Sequence, residues 1–354
     1  MVDFTVAIPT YNGEKRLPEV LERLRSQIDT EHFSWEVIVV DNNSSDGTAQ
    51  VVREYQARWP TTSTLKYSFE AQQGAACARQ RAVEEASGTF IGFLDDDNLP
   101  VENWVAAAYA FGQAHPQVGA YGSQIYPQFE TEPPAYFKKV ACFFAIFERG
   151  SYASCYEPYT KMLPPGAGLV VRKQAWRENV PKRLVLNHAG KEAGLASEDL
   201  EAVLHIQKAG WEIWYNPDMC IYHKIPPSRL ERDYLISLVR CVGLSRHHLR
   251  MLRMEPWQRP LATPIYLIND LRKLTLHIIK HRGVVNQDAI AACERELLRS
   301  SLVSPFFLWS KRHQNLKAVR KLELETKVHL SSKVESLLDL PTAQPSSSQE
   351  GSRL

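Results

Sequence analysis

The chain has 354 residues, of which 44% are hydrophobic and 23% are charged, and these values are those of an ordinary globular protein. Its net charge of +2 hides an asymmetry, because residues 1–228 carry 21 basic and 28 acidic side chains whereas residues 229–330 carry 19 and 9. The basic part could face an anionic membrane surface, a phosphorylated substrate or nucleic acid, and charge alone does not choose among them.

Neither export nor a membrane span is indicated by the sequence. The six cysteines are scattered without a CxxC pair, which fits reduced thiols in a cytoplasmic protein. The first residues, MVDFTVAIPTYN, are typical of a strand and unlike a signal peptide. No apolar run reaches the ~18 residues of a spanning helix, so any contact with a membrane is expected to be peripheral.

Strand and helix patterns alternate through the first half of the chain. Four apolar runs predict strands, and each of the first three is followed by a pattern with helical spacing. This order predicts an α/β fold with a mostly parallel, doubly wound sheet and helices on both faces. The predicted strands are 4–10, 35–41, 65–70 and 89–95, and the helices begin near residues 15, 44 and 74.

The second half of the chain has weaker signals. Ten aromatic residues lie between Tyr126 and Tyr159 and could line an acceptor site, touch lipid, or form a core under a long connection. Residues 197–210 predict a helix with Ser197 as its cap and Gly210 as its stop, and two short strands follow. We therefore expect a catalytic domain over 1–228, divided near residue 123, a basic helical extension over 229–340 and a disordered tail over 341–354.

Polar side chains follow three of the predicted parallel strands. Pro9 to Gly13 end the first strand, Asp41-Asn42-Asn43 end the second, and Asp95-Asp96-Asp97 end the fourth. The carboxyl ends of parallel strands share one edge of a sheet, where open α/β sheets bind their ligands. Three adjacent carboxylates there suggest a divalent cation, although a solvated turn before a helix is the simpler alternative.

The motifs AIPTYNGEKRL, VIVVDNNSSDGT, ARQRAVEEASGTFIGFLDDDNLP and SEDLE resemble, in order and spacing, those of the family 2 glycosyltransferases of the GT-A fold. The resemblance covers about residues 4–225, and a looser one links the chain's length and basic C-terminal block to cyanobacterial exopolysaccharide enzymes of the hormogonium type. It implies a GT-A sheet with a C-terminal helical extension, a nucleoside diphosphate sugar, usually uridine-linked, and Mn²⁺ or Mg²⁺ as the cofactor.

The resemblance also assigns donor-binding residues. Pro9, Tyr11 and Asn12 are expected to pack around the base, Asp41 to accept a hydrogen bond from its ring N–H, and Asn43 to lie beside it. Arg79 is expected near the diphosphate, in a segment where Gln80 replaces the family's Asn. The alternatives are a turn-initiating role for Asp41 and an exposed salt bridge for Arg79.

Metal and catalytic roles follow from the same motifs. Asp97 is expected to bind the metal directly, and Asp95 to contact the metal or the ribose. Asp96 is expected among the donor-binding residues, but the motif does not define its role. His223 is expected to complete the metal shell, although a lone histidine after a strand is more often structural. Asp199 is the expected base, and Glu198 is expected to position the acceptor. Either acid could instead be an ordinary first-turn helix residue. The loop from Pro164 to Gly168 is expected to border the donor sugar and acceptor.

The resemblance thus implies an inverting enzyme that adds one sugar to a glycan or lipid-linked acceptor in surface or exopolysaccharide synthesis, and single addition is expected because the Gln-x-x-Arg-Trp motif of processive members is missing. The enzyme is expected to be cytoplasmic and to bind no nucleic acid, since no recognised nucleic-acid-reading motif is present. Residues 233–254 predict a basic amphipathic helix that docks on the inner face of a membrane or packs on the catalytic domain. The rival functions are a nucleotidyltransferase, which normally has a glycine-rich phosphate loop, and a non-catalytic sugar-nucleotide or glycan-binding module.

Overall fold

The computed structural model describes residues 2–158, 162–188, 195–282, 288–311 and 313. The described residues up to 305 form one compact unit, and those from 306 onward belong to a second. The strands of the first unit are β1 (Phe4–Thr10), β2 (Trp35–Asp41), β3 (Thr64–Phe69), β4 (Phe90–Phe93), β5 (Asn98–Pro100), β6 (Val118–Phe129), β7 (Ser154–Cys155), β8 (Leu169–Arg172) and β9 (Glu212–Ile225). Its named α-helices are α1 (Leu17–Arg25), α2 (Thr48–Ala57), α3 (Ala75–Glu85), α4 (Trp104–Ala114), α5 (Lys173–Asn179), α6 (Glu198–Lys208), α7 (Pro227–Leu230), α8 (Arg232–Leu252) and α9 (Arg259–Lys280), and residues 289–305 are also helical.

All of these strands belong to one sheet, in the order β3-β2-β1-β4-β8-β6-β9-β5, with β7 paired to β9. The strands β3, β2, β1 and β4 are parallel to one another, as predicted, and β8 pairs with β4 in antiparallel orientation. Every residue of β2 is buried, as expected for a parallel strand covered on both faces. The ends of β1, β2 and β4 therefore lie on one edge of the sheet, where the predicted polar residues follow them.

The helices bury the apolar faces that their spacing predicts. In α1 the residues Leu17, Val20, Leu21 and Leu24 are fully buried. Gly210 follows α6 with a φ of 94°, so it ends that helix as predicted. Ser197 stands at the cap position of α6, but its side chain makes no capping hydrogen bond.

Two predicted short strands are one strand, β9. Its register with β6 jumps from Tyr215 opposite Gly122 to Cys220 opposite Gln124, so residues 216–219 bulge out without ending the pairing. The sequence also hides β5, which pairs antiparallel with β9 and places Asn98 opposite His223. That short strand brings the end of the Asp triplet beside a residue more than a hundred positions away.

The membrane-surface interpretation of residues 233–254 is wrong. The apolar face of α8 is covered, with Leu235 and Val239 each 1% exposed, and α8 packs against α6. Arg250 on the same helix pairs with buried Asp270 at 2.5 Å. The alternative, a helix that packs on the catalytic domain, is therefore confirmed.

Four of the ten aromatic residues of this block lie in the hydrophobic core, and Phe129, Tyr136 and Phe143 pack against it, whereas Tyr152 is 85% exposed. Phe137, Phe144, Phe147 and Tyr156 are each less than 9% exposed. Tyr159 and the predicted disordered tail lie outside the described residues. Within the described residues, no helix combines the length and the apolar character needed to cross a membrane.

Candidate active site

Each carboxylate of the Asp triplet has a different cationic partner. The pairs are Asp95 with Arg79, Asp96 with Arg16, and Asp97 with Arg229 and His223. Adjacent carboxylates repel each other where the dielectric constant is low, and an opposite charge within about 4 Å offsets that repulsion. Side chains of this chain therefore supply the positive charge that the triplet requires.

Asp96 is fastened to β1 and to the loop after it. Arg16 donates to both of its carboxylate oxygens, at 2.7 and 2.8 Å, and the Thr10 hydroxyl donates to Oδ2 at 2.5 Å. The Asp96 side chain is buried. Asp96 thus holds the end of β4 against β1, and its predicted contact with the donor stays a prediction.

Arg79 connects the Asp triplet to the N-terminus of α6. It donates to Asp95 Oδ1 at 3.0 Å and also to Glu198 Oε1. Arg79 is buried, so the alternative of an exposed helix arginine is wrong. Burial raises the pKa of Glu198 to about 7, although Arg79 acts in the opposite direction. Burial opposes the charge of Arg79, but Asp95, Glu198 and Asp199 hold the pKa of its guanidinium above the usual value.

Asp199 lies at the start of α6 against the glycine loop. The backbone N–H of Gly166 donates to its Oδ2, and the N–H of Leu200 donates to Oδ1 at 2.8 Å. A Cβ built at Gly166 would lie 2.8 Å from a terminal nitrogen of Arg79 and 3.0 Å from Asp199 Cβ, so any side chain there would require Arg79 or Asp199 to shift. The loop predicted to border the sugar therefore contacts the predicted base directly.

Asp97 faces His223 across the β5–β9 pair. Burial alone would raise the pKa of Asp97, but hydrogen bonding and charge from His223, with the charge of Arg229, hold it well below the usual range. Burial lowers the pKa of His223, and Asp97 outweighs that effect and raises it. The Nδ1 atom of His223 lies 2.8 Å from the carbonyl oxygen of Phe144, which fixes the ring with Nε2 toward Asp97.

Asp97 and His223 have the right chemistry for part of a Mn²⁺ or Mg²⁺ site. A carboxylate and an imidazole are ordinary metal ligands, and Asp97 Oδ2 lies 3.6 Å from His223 Nε2. Arg229 contacts both atoms, with one terminal nitrogen 2.8 Å from the oxygen and the other 3.0 Å from the ring nitrogen. The two residues therefore fit a cation only if Arg229 leaves that position. Asp95 is turned to Arg79, and the only cluster of three ligand-type side chains in the described residues lies elsewhere.

The predicted base-binding residues surround the ends of β1 and β2. Asp41 is buried and accepts hydrogen bonds from the Tyr67 hydroxyl at 2.8 Å and the Ser44 amide at 2.9 Å. Burial and Asp41 together raise the pKa of Tyr67 to about 12, so its hydroxyl stays protonated and donates. Asp41 is thus fixed in place, with the carboxylate oxygens oriented by two donors.

The neighbouring residues at this edge of the sheet are more exposed to solvent. Tyr11 is 42% exposed and Asn43 is exposed. Asn12 and Asn43 both have left-handed backbone, with φ of 51° and 61°, which asparagine tolerates better than most residues. Pro9 lies within β1 opposite Val40. The structure brings all the predicted donor residues to this edge, and their contacts with a base stay predictions.

Sequence reasoning missed two cations of this site, Arg16 and Arg229. Arg16 stands four residues after Asn12 in the motif AIPTYNGEKRL, so its closeness in sequence to the end of the first strand could have indicated that it lies beside the Asp triplet. Arg229 stands six residues after His223 in a generally basic region, and no motif separates it from its neighbours. Its role appears only when β9 and α7 place it beside Asp97.

Comparisons with known proteins agree with this architecture. The model of Glycosyl transferase family 2 matches residues 5–172, and that of Glycosyl transferase family group 2 matches residues 90–261. The Staphylococcus aureus poly(ribitol-phosphate) beta-N-acetylglucosaminyltransferase TarS is 36% identical over 117 residues, which are 32% of this chain and 20% of that protein. The Escherichia coli UDP-Glc:alpha-D-GlcNAc-diphosphoundecaprenol beta-1,3-glucosyltransferase WfgD is 35% identical over 105 residues, which are 29% and 39% of the two chains.

One solved structure shows the same fold over most of the chain. It is the mannosyltransferase PcManGT from Pyrobaculum calidifontis in complex with GDP-Man and Mn²⁺, with a TM-score of 0.56, 18% identity and coverage of 87% of each chain. The curated relatives are matched over a smaller part, since the alignments span 20% of TarS and 39% of WfgD.

The charges around His223 predict opposite pKa changes in two variants. Asp97→Asn removes the anion that raises the pKa of His223, so that pKa should fall. Arg229→Gln removes a cation that lowers it, so the same pKa should rise. Histidine side-chain NMR titration in the presence of a chelator measures both. A His223 pKa that Asp97→Asn leaves unchanged would contradict this electrostatic account.

Proposed function

We propose that this chain is a glycosyltransferase that transfers one sugar, with inversion, from a uridine diphosphate sugar to a glycan or lipid-linked acceptor, as the matches to Glycosyl transferase family 2 and family group 2 support. The observation that carries the proposal is the Arg79 bridge. It joins Asp95, at the strand edge where nucleotides bind in open α/β sheets, to Glu198 beside the predicted base. The donor-binding edge and the predicted base would thus be held close together by the two ion pairs of Arg79.

On the donor side, the proposal assigns nucleotide recognition to the ends of β1 and β2. Asp41 would accept the ring N–H of uracil, and the partly exposed ring of Tyr11 would cover the base. The diphosphate would lie beside the Asp triplet, where Asp97 and His223 would hold Mn²⁺ or Mg²⁺. When bound, such a cation stabilises the negative charge of the departing diphosphate as a Lewis acid. Arg229 would have to release Asp97 for the cation to bind.

On the acceptor side, Asp199 would take the proton from the attacking hydroxyl. Its two carboxylate oxygens are already oriented by backbone N–H groups, so the side chain is fixed before substrate arrives. Glu198 is paired to Arg79 and would position α6, and with it Asp199. A single base that acts opposite the leaving diphosphate is the arrangement of a single displacement, which inverts the sugar.

Asp199→Asn should reduce transfer while sparing the binding of the donor. A general base acts in the transition state and typically contributes ~10²–10⁴-fold, so transfer should fall at least about 100-fold. Donor affinity should change only a few-fold, because other strand ends hold the nucleotide. Radiolabelled sugar transfer and calorimetric nucleotide binding measure the two quantities.

The matched control is Glu178→Gln, which neutralises an exposed carboxylate on α5 and should leave both quantities unchanged. Normal transfer by Asp199→Asn would remove Asp199 as the base and make Glu198 the next candidate. A wild-type protein that binds the nucleotide sugar but transfers nothing to any acceptor would favour the non-catalytic binding module.

For a lipid-linked acceptor, we propose that the outer face of α9 rests on an anionic membrane. Its exposed side chains include a run of large aliphatic residues that are each more than half exposed, namely Leu261, Ile265, Ile268, Leu271, Leu276 and Ile279. They recur at intervals of three to five residues, so they form one stripe along the helix. An exposed stripe of this kind marks an interaction surface.

The charges of α9 favour lipid as the occupant of this outer face. Arg272, Lys273 and Lys280 are exposed around the stripe, whereas Asp270, the only acidic residue of α9, is buried against Arg250. Basic charge beside an apolar stripe is the pattern of a helix that lies in the interface of an anionic bilayer. Trp257, 71% exposed just before α9, adds an aromatic side chain suited to that interface.

Ile268→Glu should weaken binding to vesicles that contain anionic lipid. It places a negative charge at the centre of the stripe, where it loses apolar burial and is repelled by the lipid headgroups. Co-sedimentation should fall at low salt, and wild-type binding should decline as salt rises, since screening acts over about 8–10 Å near physiological ionic strength.

Ile28→Glu introduces the same charge at an exposed isoleucine of the loop after α1 and should bind vesicles like the wild type. Failure of the wild type to sediment with anionic vesicles would contradict the lipid assignment. A dimer in solution that Ile268→Glu dissociates would instead assign the stripe to a second copy of the chain.

A further inference from the structure

The inner face of α9 contains a buried histidine whose ring nitrogens have no hydrogen-bond partner. His277 is 9% exposed, and both Nδ1 and Nε2 lack a hydrogen bond. Burying an imidazole without satisfying its polar atoms is unfavourable, and native proteins seldom do so without a ligand, an ion or a water. A partner for at least one of these ring nitrogens is therefore expected at this position.

Two further metal-binding side chains face His277. His281 follows it by one helical turn, with its backbone N–H bonded to the His277 carbonyl oxygen, and the two rings stack with centroids 4.5 Å apart. Glu294 approaches from the helical residues 289–305, with Oε2 3.3 Å from His277 Nε2. One possible ligand atom from each of the three residues lies within 4.8 Å of the other two.

We propose that His277, His281 and Glu294 bind a zinc ion that ties α9 to the following helix. Two histidines at i and i+4 share one face of a helix, which is a recurrent zinc-binding spacing. Ligands about 2.0–2.1 Å from a tetrahedral zinc ion lie about 3.3 Å from each other, as His277 Nε2 and Glu294 Oε2 do. A water molecule would complete the four ligands.

An ion pair alone accounts less well for this cluster. His277 Nε2 and Glu294 Oε2 are 3.3 Å apart, but the contact is not a hydrogen bond, since His277 Nε2 has no hydrogen-bond partner. A simple ion pair also leaves His281 without a role, whereas a metal uses all three side chains. Two imidazoles and one carboxylate suit zinc better than Mn²⁺ or Mg²⁺, which prefer oxygen. The site is therefore distinct in chemistry from the donor edge at Asp97.

The test measures zinc binding to the full chain by equilibrium dialysis and by the visible spectrum of bound Co²⁺. Asp97→Asn is used as the background, so that the donor edge does not contribute. One tightly bound ion is expected, with the spectrum of a tetrahedral nitrogen and oxygen site and no thiolate charge-transfer band. Glu294→Gln and His281→Ala should each weaken zinc binding at least about 100-fold, the upper end of what the loss of an outer hydrogen-bond partner costs.

The carboxylate of Glu294 is 54% exposed, so Glu294→Gln should fold even if a change at buried His277 does not. Exposed His32→Ala is the control and should keep the wild-type affinity. Zinc should also raise the melting temperature in the background and in His32→Ala but not in Glu294→Gln. Equal zinc affinity in all variants, or a thiolate band in the Co²⁺ spectrum, would overturn the proposal.

Discussion

The separate pairing of three adjacent carboxylates with three cations is the constraint on which the rest of the site depends. Asp95, Asp96 and Asp97 could not lie together at a buried strand edge without Arg79, Arg16 and Arg229. The Arg79–Glu198 pair is buried on both sides, so loss of Arg79 would leave the Glu198 charge uncompensated. Each pair also fixes a different element: Arg79 reaches α6, Arg16 holds the loop after β1, and Arg229 stands beside β9.

Much of the nucleotide-binding half follows from local sequence rules. The continuous apolar run over 35–41 and the spacing of Leu17, Val20, Leu21 and Leu24 required neither long-range contacts nor any ligand to interpret. The order of strands and helices then fixed a parallel sheet, and a parallel sheet fixed the shared edge. The convergence of Asp41 and the Asp triplet therefore follows from the sequence alone.

The remaining features depend on pairings between distant residues. The strand β5 has three residues, too few for a period, and exists because Asn98 to Pro100 pair with β9. Arg229 acquires its role through that same pairing. Residues 233–254 have amphipathic spacing and form a helix with an apolar face. Such spacing shows which side of a helix is apolar, but not whether lipid or protein packs against that side. In α8 that face meets the domain, while in α9 an apolar stripe stays exposed.

The central claim is that the Asp triplet binds a nucleoside diphosphate through a cation that replaces Arg229 at Asp97. Calorimetric titration of uridine diphosphate with and without Mn²⁺ tests it most directly. The account predicts binding at least about 10-fold tighter, or about 1.4 kcal/mol, with Mn²⁺ than with a chelator, and loss of that difference in Asp97→Asn. If guanosine diphosphate binds more tightly than uridine diphosphate, only the assignment of the donor's base would need correction. Equal affinity for uridine diphosphate in Mn²⁺ and in chelator would contradict the claim.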